Sequence, residues 1–556
     1  MPDAPRQDRR FDATPRDGWL LAGIALLGLA VRLVALESRP LLGGDEAHWG
    51  VVARTFLRHG GDPFGAGYLG FPAFGEFVTA GALALAGDTI SGLRSPAVVS
   101  GALTAIPVGI YALHAWGRIA GVTAALVVAV TLVHVHLSRQ GLPNIIDALF
   151  AAVALFALEA GWRERRRALF VIAGLALGWA QYFYATARLA PLIVLVFVGL
   201  RFAANAGQAW SYRGHVAAML FTFAVAALPE MLRAFADPGA WIAPFARRSD
   251  IGVLVDGLRA DMVGGAAILA RRAALAASAL VSVRLRGLMV PASPLLEPVY
   301  AVAFVVGIIA LVRRAADPRS QLLLLWIAGV VAVATLSEST PAGQRYALAI
   351  PACAVVAGVG AATIVGAISH FARGFRHTAT LCILAVAAAF VAQALVSMRA
   401  YFSDPHRWVS TFREPTTELA EDLVTRIRAT PPGTRVVMLG APIVWYHGLG
   451  QLAFLAPATR GFDVDADDAV ASVATATCAG GDGPGEPDPV DCLIVVLPHR
   501  AHALAALREQ LRIRADTPVL ARDGTPLYTL LAVCARCTVQ NRAPARGASP
   551  APADTR

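Results

Sequence analysis

Asp45 and Glu46 are the residues of this sequence best placed for acid–base chemistry, and His48 lies two positions further on. They follow the first long apolar run, where a membrane span would end. A carboxylate at that position can accept the proton of an attacking nucleophile. The alternative is helix capping, in which Asp45 binds the first amides of a helix through Val51–His59 and stabilises its dipole. Spacing alone favours the cap, although one carboxylate can serve both roles.

A second acid, Asp147, lies about one turn into a helix that is predicted to begin at Pro143 or Asn144. As a first-turn acid it stabilises the positive end of the helix dipole, which is the structural interpretation. An uninterrupted apolar run follows Asp147, however. An acid at the end of a membrane span must face the bundle interior or a water-filled cleft, which is the functional interpretation.

Two arginines supply complementary positive charge. Arg188 lies at the junction of two apolar runs, and Arg345 opens another. The ordinary role of such an arginine is to snorkel, with its stem in the apolar layer and its guanidinium among the headgroups. Two arginines and two acids on one membrane face also indicate a site that binds a lipid phosphate and activates an acceptor. Guanidinium groups suit that task because they bind phosphate bidentately.

The composition that must position these residues is that of a membrane protein with many spans. Of 556 residues, 56% are hydrophobic and 15% are charged, and the mean hydropathy is +0.58. Apolar runs of about 18 to 22 residues, enough to cross a ~30 Å hydrocarbon core as a helix, recur along most of the first 400 residues. The net charge of +10 comes largely from arginines in short loops. It indicates orientation and lipid headgroup contact rather than nucleic-acid binding.

Loop charge predicts about eleven transmembrane helices within residues 19–400, preceded by a cytoplasmic tail, 1–18. The first run, Trp19–Leu36, is long for a signal peptide and is predicted to be a retained span. The positive-inside rule then places the loops 37–94 and 234–293 outside. The predicted spans are 19–36, 95–115, 119–137, 145–162, 169–185, 188–204, 215–233, 294–312, 320–337, 346–368 and 378–399.

Two outside segments are expected to lie in the membrane interface. Phe71–Gly87 is apolar enough to span, but counting it would invert every later loop, so amphipathic interfacial helices are predicted instead. The loop 234–293 carries seven arginines among apolar stretches, including Arg247 and Arg248. This pattern is typical of an interfacial lid, and attraction to headgroups alone accounts for it.

The segment 401–541 is predicted to be an extracytoplasmic α/β domain, and the tail 542–556 to be disordered. Asp463–Asp491 is expected to be a mobile loop. The predicted strands are Thr434–Leu439, Asp491–Leu497 and Leu527–Val533, and the predicted helices are Thr416–Ala429 and His502–Leu511.

Four of the six cysteines, Cys478, Cys492, Cys534 and Cys537, fall in this domain, which suits an oxidising compartment. A bridge between Cys478 and Cys492 is one prediction. Pairing of Cys534 with Cys537 would give a strained, redox-active bridge. A zinc site would need a second paired motif, which the sequence lacks.

Several short motifs of this sequence resemble the GT-C glycosyltransferases in their order along the chain and in the side of the membrane on which they are predicted to lie. The resemblance is greatest to glycosyltransferase family 39, which includes protein O-mannosyltransferases and lipid A aminoarabinose transferases. The resemblance covers about residues 19–400. It rests on Gly44-Asp45-Glu46-Ala47-His48 with Ala53-Arg54, on Leu93-Arg94-Ser95-Pro96, on Ser138-Arg139 with Asp147, on Tyr184, Ala187, Arg188 and Pro191, and on Gln344-Arg345-Tyr346 with Pro351.

The resemblance implies a polytopic α-helical membrane protein of the GT-C fold. It also implies transfer of a sugar from a polyprenyl-phosphate donor to a hydroxyl or phosphate of a lipid, glycan or protein, with inversion in a single displacement. Asp45 would be the general base, with Glu46 and Asp147 assisting. The donor phosphate would be bound by Arg188, Arg345 and Arg139, and substrate by His48, Asn144, Tyr184 and Tyr346.

No cofactor is predicted, and a divalent metal stays open. Membrane lipids are expected partners, nucleic acid is not, and the expected location is the bacterial inner membrane. Where many family members have Lys-Pro-Pro, this chain has Gly70-Phe71-Pro72-Ala73, which leaves the sugar and the acceptor undetermined. The alternative function is a flippase for polyprenyl-linked sugars, without bond cleavage. It predicts charges deep in several spans and an internal repeat, whereas the candidate acids and arginines cluster at one face.

Overall fold

Helices build the first unit of the chain, Met1–Thr417, and a β-sheet with flanking helices builds the second, Glu418–Arg556. The computed structural model describes residues 14–287, 291, 293–371, 378–403, 415–464, 492–511 and 513–533. The predicted fold class, a polytopic helical protein with a C-terminal α/β unit, is confirmed.

The helices of the first unit follow the apolar runs of the sequence. They are α1 (Pro15–Leu33), α2 (Gly44–His59), α3 (Phe74–Ala86), α4 (Ile90–Leu103), α5 (Ala105–Trp116), α6 (Arg118–Val130), α7 (Leu132–Leu137), α8 (Asn144–Glu164), α9 (Arg167–Ala180), α10 (Leu189–Ala204), α11 (Ala206–Trp210), α12 (Arg213–Ala236), α13 (Pro238–Ala246), α14 (Ile251–Ala260), α15 (Met262–Ser278), α16 (Pro298–Val312), α17 (Pro318–Leu336), α18 (Ile350–Phe371) and α19 (Thr378–Ser403).

Seven helical segments of the described chain are long and apolar enough to cross a membrane. Each predicted span overlaps a helix, but α6, α9 and α16 have only 13, 14 and 15 residues, fewer than the ~20 that a span needs. The count of eleven and the sidedness therefore stay predictions. The seven segments are Ile90–Trp116, Asn144–Glu164, Ala185–Ala204, Arg213–Ala236, Pro318–Leu336, Gly343–Phe371 and Thr380–Ser403.

Small residues let the central helices pack closely around α18. A Cβ built on Gly360 would lie 1.7 Å from the Ala303 carbonyl oxygen of α16, and one on Gly358 would lie 2.4 Å from that of Ala120 in α6. Backbones this close give extensive van der Waals contact, which drives helix association where no water can be displaced. The resulting core packs α18 directly against α6 and α16.

The loop 37–94, predicted to lie outside, contains two helices, α2 and α3, as its amphipathic pattern predicts. Gly60 and Gly87 end them with φ of 70° and 94°, conformations that cost glycine little. At 13 residues, α3 is too short to cross a bilayer at 1.5 Å rise per residue. Its predicted position in the membrane interface stays a prediction.

The predicted lid consists of α13, α14 and α15. Arg272 of α15 joins it to the end of α17, because its guanidinium donates to the Ser337 carbonyl oxygen at 2.5 Å. Within the predicted lid the same guanidinium donates to Asp250 at 2.7 Å. The Asp250 amide also donates to the Leu336 carbonyl oxygen, at 2.9 Å. The lid is thus hydrogen-bonded to the bundle.

The second unit contains a five-stranded sheet in the order β2-β1-β3-β5-β4. β1 pairs in parallel with β2 and β3, and β5 pairs antiparallel with β3 and β4. Both faces are covered, because alternate residues of the central strands enter two separate apolar clusters, one with α20 and one with α22. The elements are α20 (Pro415–Arg428), β1 (Arg435–Leu439), α21 (Gly450–Leu455), β2 (Arg460–Asp463), β3 (Cys492–Val496), α22 (Leu504–Gln510), β4 (Ile513–Leu520) and β5 (Pro526–Val533).

The three predicted strands correspond to the central strands β1, β3 and β5, whereas β2 and β4 lie at the edges and were missed. Edge strands are half solvated, so they lack the apolar run that marks a buried strand. Most of the predicted mobile loop and the predicted disordered tail lie outside the described residues.

The cysteine prediction is tested in part. Cys492 is disulfide-bonded, whereas the buried Cys353 and Cys382 are free. Cys478, Cys534 and Cys537 lie outside the described residues, so both predicted pairings stay predictions.

Candidate active site

Asp45 is half-buried at the second position of α2 and faces a short loop. Its Oδ1 accepts a hydrogen bond of 3.0 Å from the Tyr68 hydroxyl. The His48 ring stacks on the Tyr68 ring at 5.5 Å between centroids, and His48 Nδ1 lies 3.0 Å from the Gly44 carbonyl oxygen. The expected cap by Asp45 is wrong: the helix begins at Gly44, and the acid that reaches the Gly43 amide, at 3.4 Å, is Glu46. The Asp45 carboxylate is therefore available for another task.

Glu46 is buried, with 1% exposure, and both of its oxygens are engaged. Arg94 of α4 binds it bidentately, with Nε 2.6 Å from Oε1 and Nη2 3.0 Å from Oε2. The Gly141 amide donates to Oε1 at 2.7 Å, and Arg94 also donates to the Leu36 carbonyl oxygen. Glu46 joins three segments of the chain. This geometry favours a positioning role over the predicted role as assisting catalyst.

Asp147 of α8 faces the bundle interior, as an acid in an apolar run must. Its carboxylate is fully buried and accepts from the Tyr184 amide at 3.0 Å, the Thr186 hydroxyl at 2.9 Å and the Ala187 amide at 2.8 Å. These bonds fix the 3-10 turn Ala185–Arg188. Asp147 thus orients the predicted phosphate ligand Arg188, and the structure gives it a positioning role.

Arg139 was predicted to bind donor phosphate, and the structure places it elsewhere. Its buried guanidinium donates to backbone carbonyl oxygens at the end of α1 and just beyond it, including that of Arg32 at 2.6 Å and that of Arg39 at 2.8 Å. It also packs against the rings of Tyr401 and Phe402. A cation there neutralises the negative end of the helix dipole. Arg139 is a C-terminal cap for α1.

Arg188 lies in a compact cluster of charge and aromatic surface. Its Nη2 is 3.2 Å from Glu230 Oε1, and its guanidinium lies 3.7 Å from the centre of the Trp241 ring. Glu230 also binds Arg233 at 2.8 Å and accepts from Trp241 Nε1 at 2.9 Å. One carboxylate faces two guanidinium groups, so the cluster keeps a net positive charge of one.

Arg345 donates to the Tyr184 hydroxyl at 2.5 Å, and that hydroxyl lies 3.4 Å from Gln344 Oε1. Tyr184, predicted to bind substrate, thus shares a site with Arg345. Tyr346 does not, because it is buried and donates to the Ala276 carbonyl oxygen at 2.8 Å. Asn144 is buried at the first position of α8.

Arg188, Arg248 and Arg345 line one cavity of about 230 Å³, referred to below as the arginine cavity. Its remaining wall is mostly aliphatic and comes from α10, α14 and α17, with Tyr184 and Leu348 at one side. An apolar wall with three cations suits a lipid that carries an anionic head. The aliphatic lining comprises Leu189, Leu192, Ile251, Val330, Val333 and Leu336.

A single loop, Gly67–Phe71, contacts both Asp45 and the arginines, and is called the Tyr68 turn below. Tyr68 donates to Asp45, whereas Phe71 stacks on Tyr184 at 5.1 Å and lies 5.0 Å beneath the Arg248 guanidinium. Arg247 donates to the Leu69 carbonyl oxygen at 2.7 Å. The turn therefore connects the carboxylate to the arginine cavity.

Sequence reasoning missed Arg248, Tyr68 and Glu230. Arg248 lies about 60 residues from Arg188. Attraction to lipid headgroups already accounted for the positive charge of its segment, so no local pattern marked Arg248 as a site residue. Glu230 carried a signal that went unused: an acid in an apolar helix needs a partner, and partnered acids in spans mark functional regions.

The described residues contain no group of three or more histidine, cysteine, aspartate or glutamate side chains that could hold a metal ion. The expectation of no cofactor, with a divalent metal left open, stays a prediction. The protein groups that the site offers for chemistry are the Asp45 carboxylate, the Tyr68 phenol and the guanidinium groups of the arginine cavity.

Residues 71–229 match the model of the dolichyl-phosphate-mannose-protein mannosyltransferase family. The matched segment includes Phe71, Asp147, Tyr184 and Arg188, but neither Asp45 nor Arg345. No curated protein matches the chain in sequence.

Solved structures of similar fold cover nearly the whole chain. ArnT from Cupriavidus metallidurans bound to undecaprenyl phosphate has a TM-score of 0.58 at 17% identity, covering 94% of this chain and 99% of that one. The oligosaccharyltransferase of Archaeoglobus fulgidus in its apo form has a TM-score of 0.50 at 14% identity, covering 92% of this chain and 74% of that one. At these identities the likeness concerns the fold. The chain is thus a helical membrane protein with the fold of the GT-C glycosyltransferases, and the resemblance seen in its sequence is confirmed.

Proposed function

We propose that this protein is a membrane glycosyltransferase that moves a sugar from a polyprenyl-phosphate donor to an acceptor hydroxyl or phosphate on the extracytoplasmic side of a bacterial inner membrane. The observation that carries the proposal is the Tyr68 turn, which links the half-buried Asp45 to an apolar cavity lined by three arginines. Carboxylate and cations in one site are the groups that this transfer needs.

The arginine cavity is the proposed donor site. Arg345, Arg188 and Arg248 bind the phosphate, and the aliphatic wall of α10 and α17 packs against the first isoprene units. ArnT, which shares the fold, has been solved with undecaprenyl phosphate bound, which supports a donor of this class. A cavity of about 230 Å³ holds only the head of such a lipid, so its tail extends into the bilayer.

Asp45 is the proposed general base. It removes the proton from the acceptor oxygen as that oxygen bonds to the anomeric carbon, and the bond from that carbon to the donor phosphate breaks. The electron pair leaves with polyprenyl phosphate, whose charge the arginines stabilise. One displacement inverts the anomeric centre, and the proton stays on Asp45 until solvent removes it.

The proposal is tested with purified protein, a panel of undecaprenyl-phosphate-linked hexoses and pentoses, and a membrane extract as acceptor source, by following release of undecaprenyl phosphate. Asp45→Asn is expected to lower turnover by roughly 10²- to 10⁴-fold, because it removes the general base. Asp62→Asn is the matched control: Asp62 lies in the same outside loop, is exposed, and caps the Phe64 amide at 2.9 Å.

Full turnover in Asp45→Asn would remove Asp45 from the mechanism. Movement of the lipid between leaflets of proteoliposomes, without release of undecaprenyl phosphate from any donor, would instead establish the flippase. Equal losses in Asp45→Asn and Asp62→Asn would show general damage to the loop and would also count against the proposed base.

A further inference from the structure

Glu76 of α3 carries a carboxyl group that is buried against the Tyr68 turn. It is fully buried, and its Oε1 accepts from the Tyr68 amide at 2.6 Å. Its Oε2 meets no hydrogen-bond donor among the described residues. Burying a carboxyl oxygen without a hydrogen-bond donor costs free energy.

The glycine opposite Glu76 makes this burial feasible. A Cβ built on Gly67 would lie 2.1 Å from Glu76 Oε2, so any other residue there would displace the carboxyl group. The Tyr68 turn is tight, because the Gly67 amide donates to the Phe71 carbonyl oxygen at 2.6 Å and the Gly70 amide to that of Gly67 at 3.0 Å. Leu69 adopts φ of 54°, an unfavourable conformation for a residue with a side chain.

Glu76 is therefore the side chain that binds this turn from α3. The opposite side of the turn presents the Tyr68 hydroxyl to Asp45 at 3.0 Å. A shift of the turn by about 1 Å would break that hydrogen bond.

We propose that Glu76 is a positioning residue for acceptor activation: its carboxyl group holds the Tyr68 turn, so that the Tyr68 hydroxyl orients Asp45. The inference rests on the proposed function, in which Asp45 is the base. Glu76 acts through Tyr68 and is separated from the acceptor by the turn itself.

Protonation of Glu76 adds a pH dependence. Burial raises the pKa of the Glu76 carboxyl to about 7, and the Tyr68 amide that binds it lowers this pKa by a smaller amount. The charged or titratable groups around the turn are Asp45 and His48 beyond Tyr68, Arg247 at the Leu69 carbonyl oxygen, Arg248 over the Phe71 ring, and Arg233, 3.5 Å from the Gly70 carbonyl oxygen.

The raised pKa of Glu76 makes the stability of the folded protein depend on pH. The unfolded chain has an ordinary glutamate pKa of 4.5, so only the folded protein keeps the proton between that value and about 7. The stability that this proton contributes is complete below pH 4.5 and is lost as the pH rises to about 7. Above that pH the buried carboxylate has one oxygen that meets no hydrogen-bond donor among the described residues, which strains the turn, and transfer is expected to slow.

The test compares Glu76→Ala, Glu76→Gln and the control Glu37→Gln. Glu37 also accepts one backbone amide, that of Ser91 at 3.0 Å, but at an exposed position. Glu76→Ala is expected to lower kcat by roughly ten- to hundredfold through misplacement of Asp45, with the KM for donor unchanged. Glu76→Gln keeps the acceptor for the Tyr68 amide, so it should retain kcat at about pH 6 and lose the decline above about pH 7. Glu37→Gln should behave as the unchanged protein.

Unchanged kcat in Glu76→Ala, or an undiminished alkaline decline in Glu76→Gln, would overturn the inference. Amide exchange of residues 65–73 reports on the turn without any turnover, and should quicken in Glu76→Ala alone. If the protein transfers no sugar but residues 65–73 exchange faster in Glu76→Ala, the proposed function and the role of Glu76 in it are refuted, whereas the hold of Glu76 on the turn is supported. Unaltered exchange would show that Glu76 does not hold the turn, whatever the activity.

Discussion

The two groups of arginines in the first unit differ in what their guanidinium groups face. Arg94 and Arg139 are completely buried and donate hydrogen bonds to other groups of the protein. Arg94 donates to Glu46 and the Leu36 carbonyl oxygen, and Arg139 donates to a carbonyl oxygen at the end of α1. Arg188, Arg248 and Arg345 instead line a cavity. The first group holds helices together, and the second leaves positive charge at the wall of the cavity proposed as the donor site.

The same contrast separates the adjacent acids. Glu46 is bound on both oxygens within the protein, whereas Asp45, one position earlier, is half-buried and bonded to a tyrosine on a loop. Successive residues of a helix point about 100° apart, so one can enter the core while the other faces a cleft. Adjacent acids in a motif thus need not share a role.

The largest expected effect is the loss of the buried ion pair. Glu46→Gln leaves the Arg94 charge without its counter-charge at a buried site, which costs about 3–5 kcal/mol of folding free energy. Thermal unfolding in detergent, followed by near-ultraviolet circular dichroism, should show a strongly lowered midpoint. The exposed Glu37→Gln serves as control.

Recovery of the midpoint in the double variant Glu46→Gln, Arg94→Met would support the ion pair as the cause, because it removes both charges. If Glu46→Gln instead kept its stability but lost turnover, the contrast between Glu46 and Asp45 would fail, and Glu46 would return as a catalytic candidate.

The sequence predicted the helices well, because each apolar run had the length of a span and carried its own signal. It also placed Arg188 and Arg345 together, and the structure puts both in one cavity. It could not sort the arginines by role. Arg139 was assigned to the donor phosphate through the family resemblance, but its partners lie about 100 residues earlier, at the end of α1.

Contacts between residues far apart in the chain also explain the other site residues that the sequence did not reveal. Tyr68 meets Asp45 across 23 residues, and the bond between Tyr68 and Glu76 depends on a tight turn that contains a residue of positive φ. Neither contact produces a periodic pattern of residue types in the sequence. Periodic features are therefore predictable from this chain, and contacts set by turns and helix packing are not.

An intermediate effect is expected from Arg139→Lys. Lysine keeps the charge but lacks the fork that reaches several carbonyl oxygens at once. Loss of charge-assisted hydrogen bonds costs about 1.5–3 kcal/mol, so the unfolding midpoint should fall, while binding of undecaprenyl phosphate should be unchanged. Arg58→Lys, at an exposed position in α2, is the control. Weakened lipid binding at unchanged stability would restore Arg139 to the donor site.

The smallest effect in free energy is expected from Arg345→Gln. Glutamine can still bind the Tyr184 hydroxyl, so the unfolding midpoint should stay the same, but one of three positive charges is removed from the cavity. Loss of one charge-assisted contact should weaken undecaprenyl phosphate roughly tenfold, about 1.4 kcal/mol. Titration of the lipid in detergent, with Arg259→Gln on the exposed surface of α14 as control, measures the change. If Arg345→Gln lowered stability without weakening the lipid, Arg345 would belong with Arg94 and Arg139, and the cavity would lose one of its cations as a ligand.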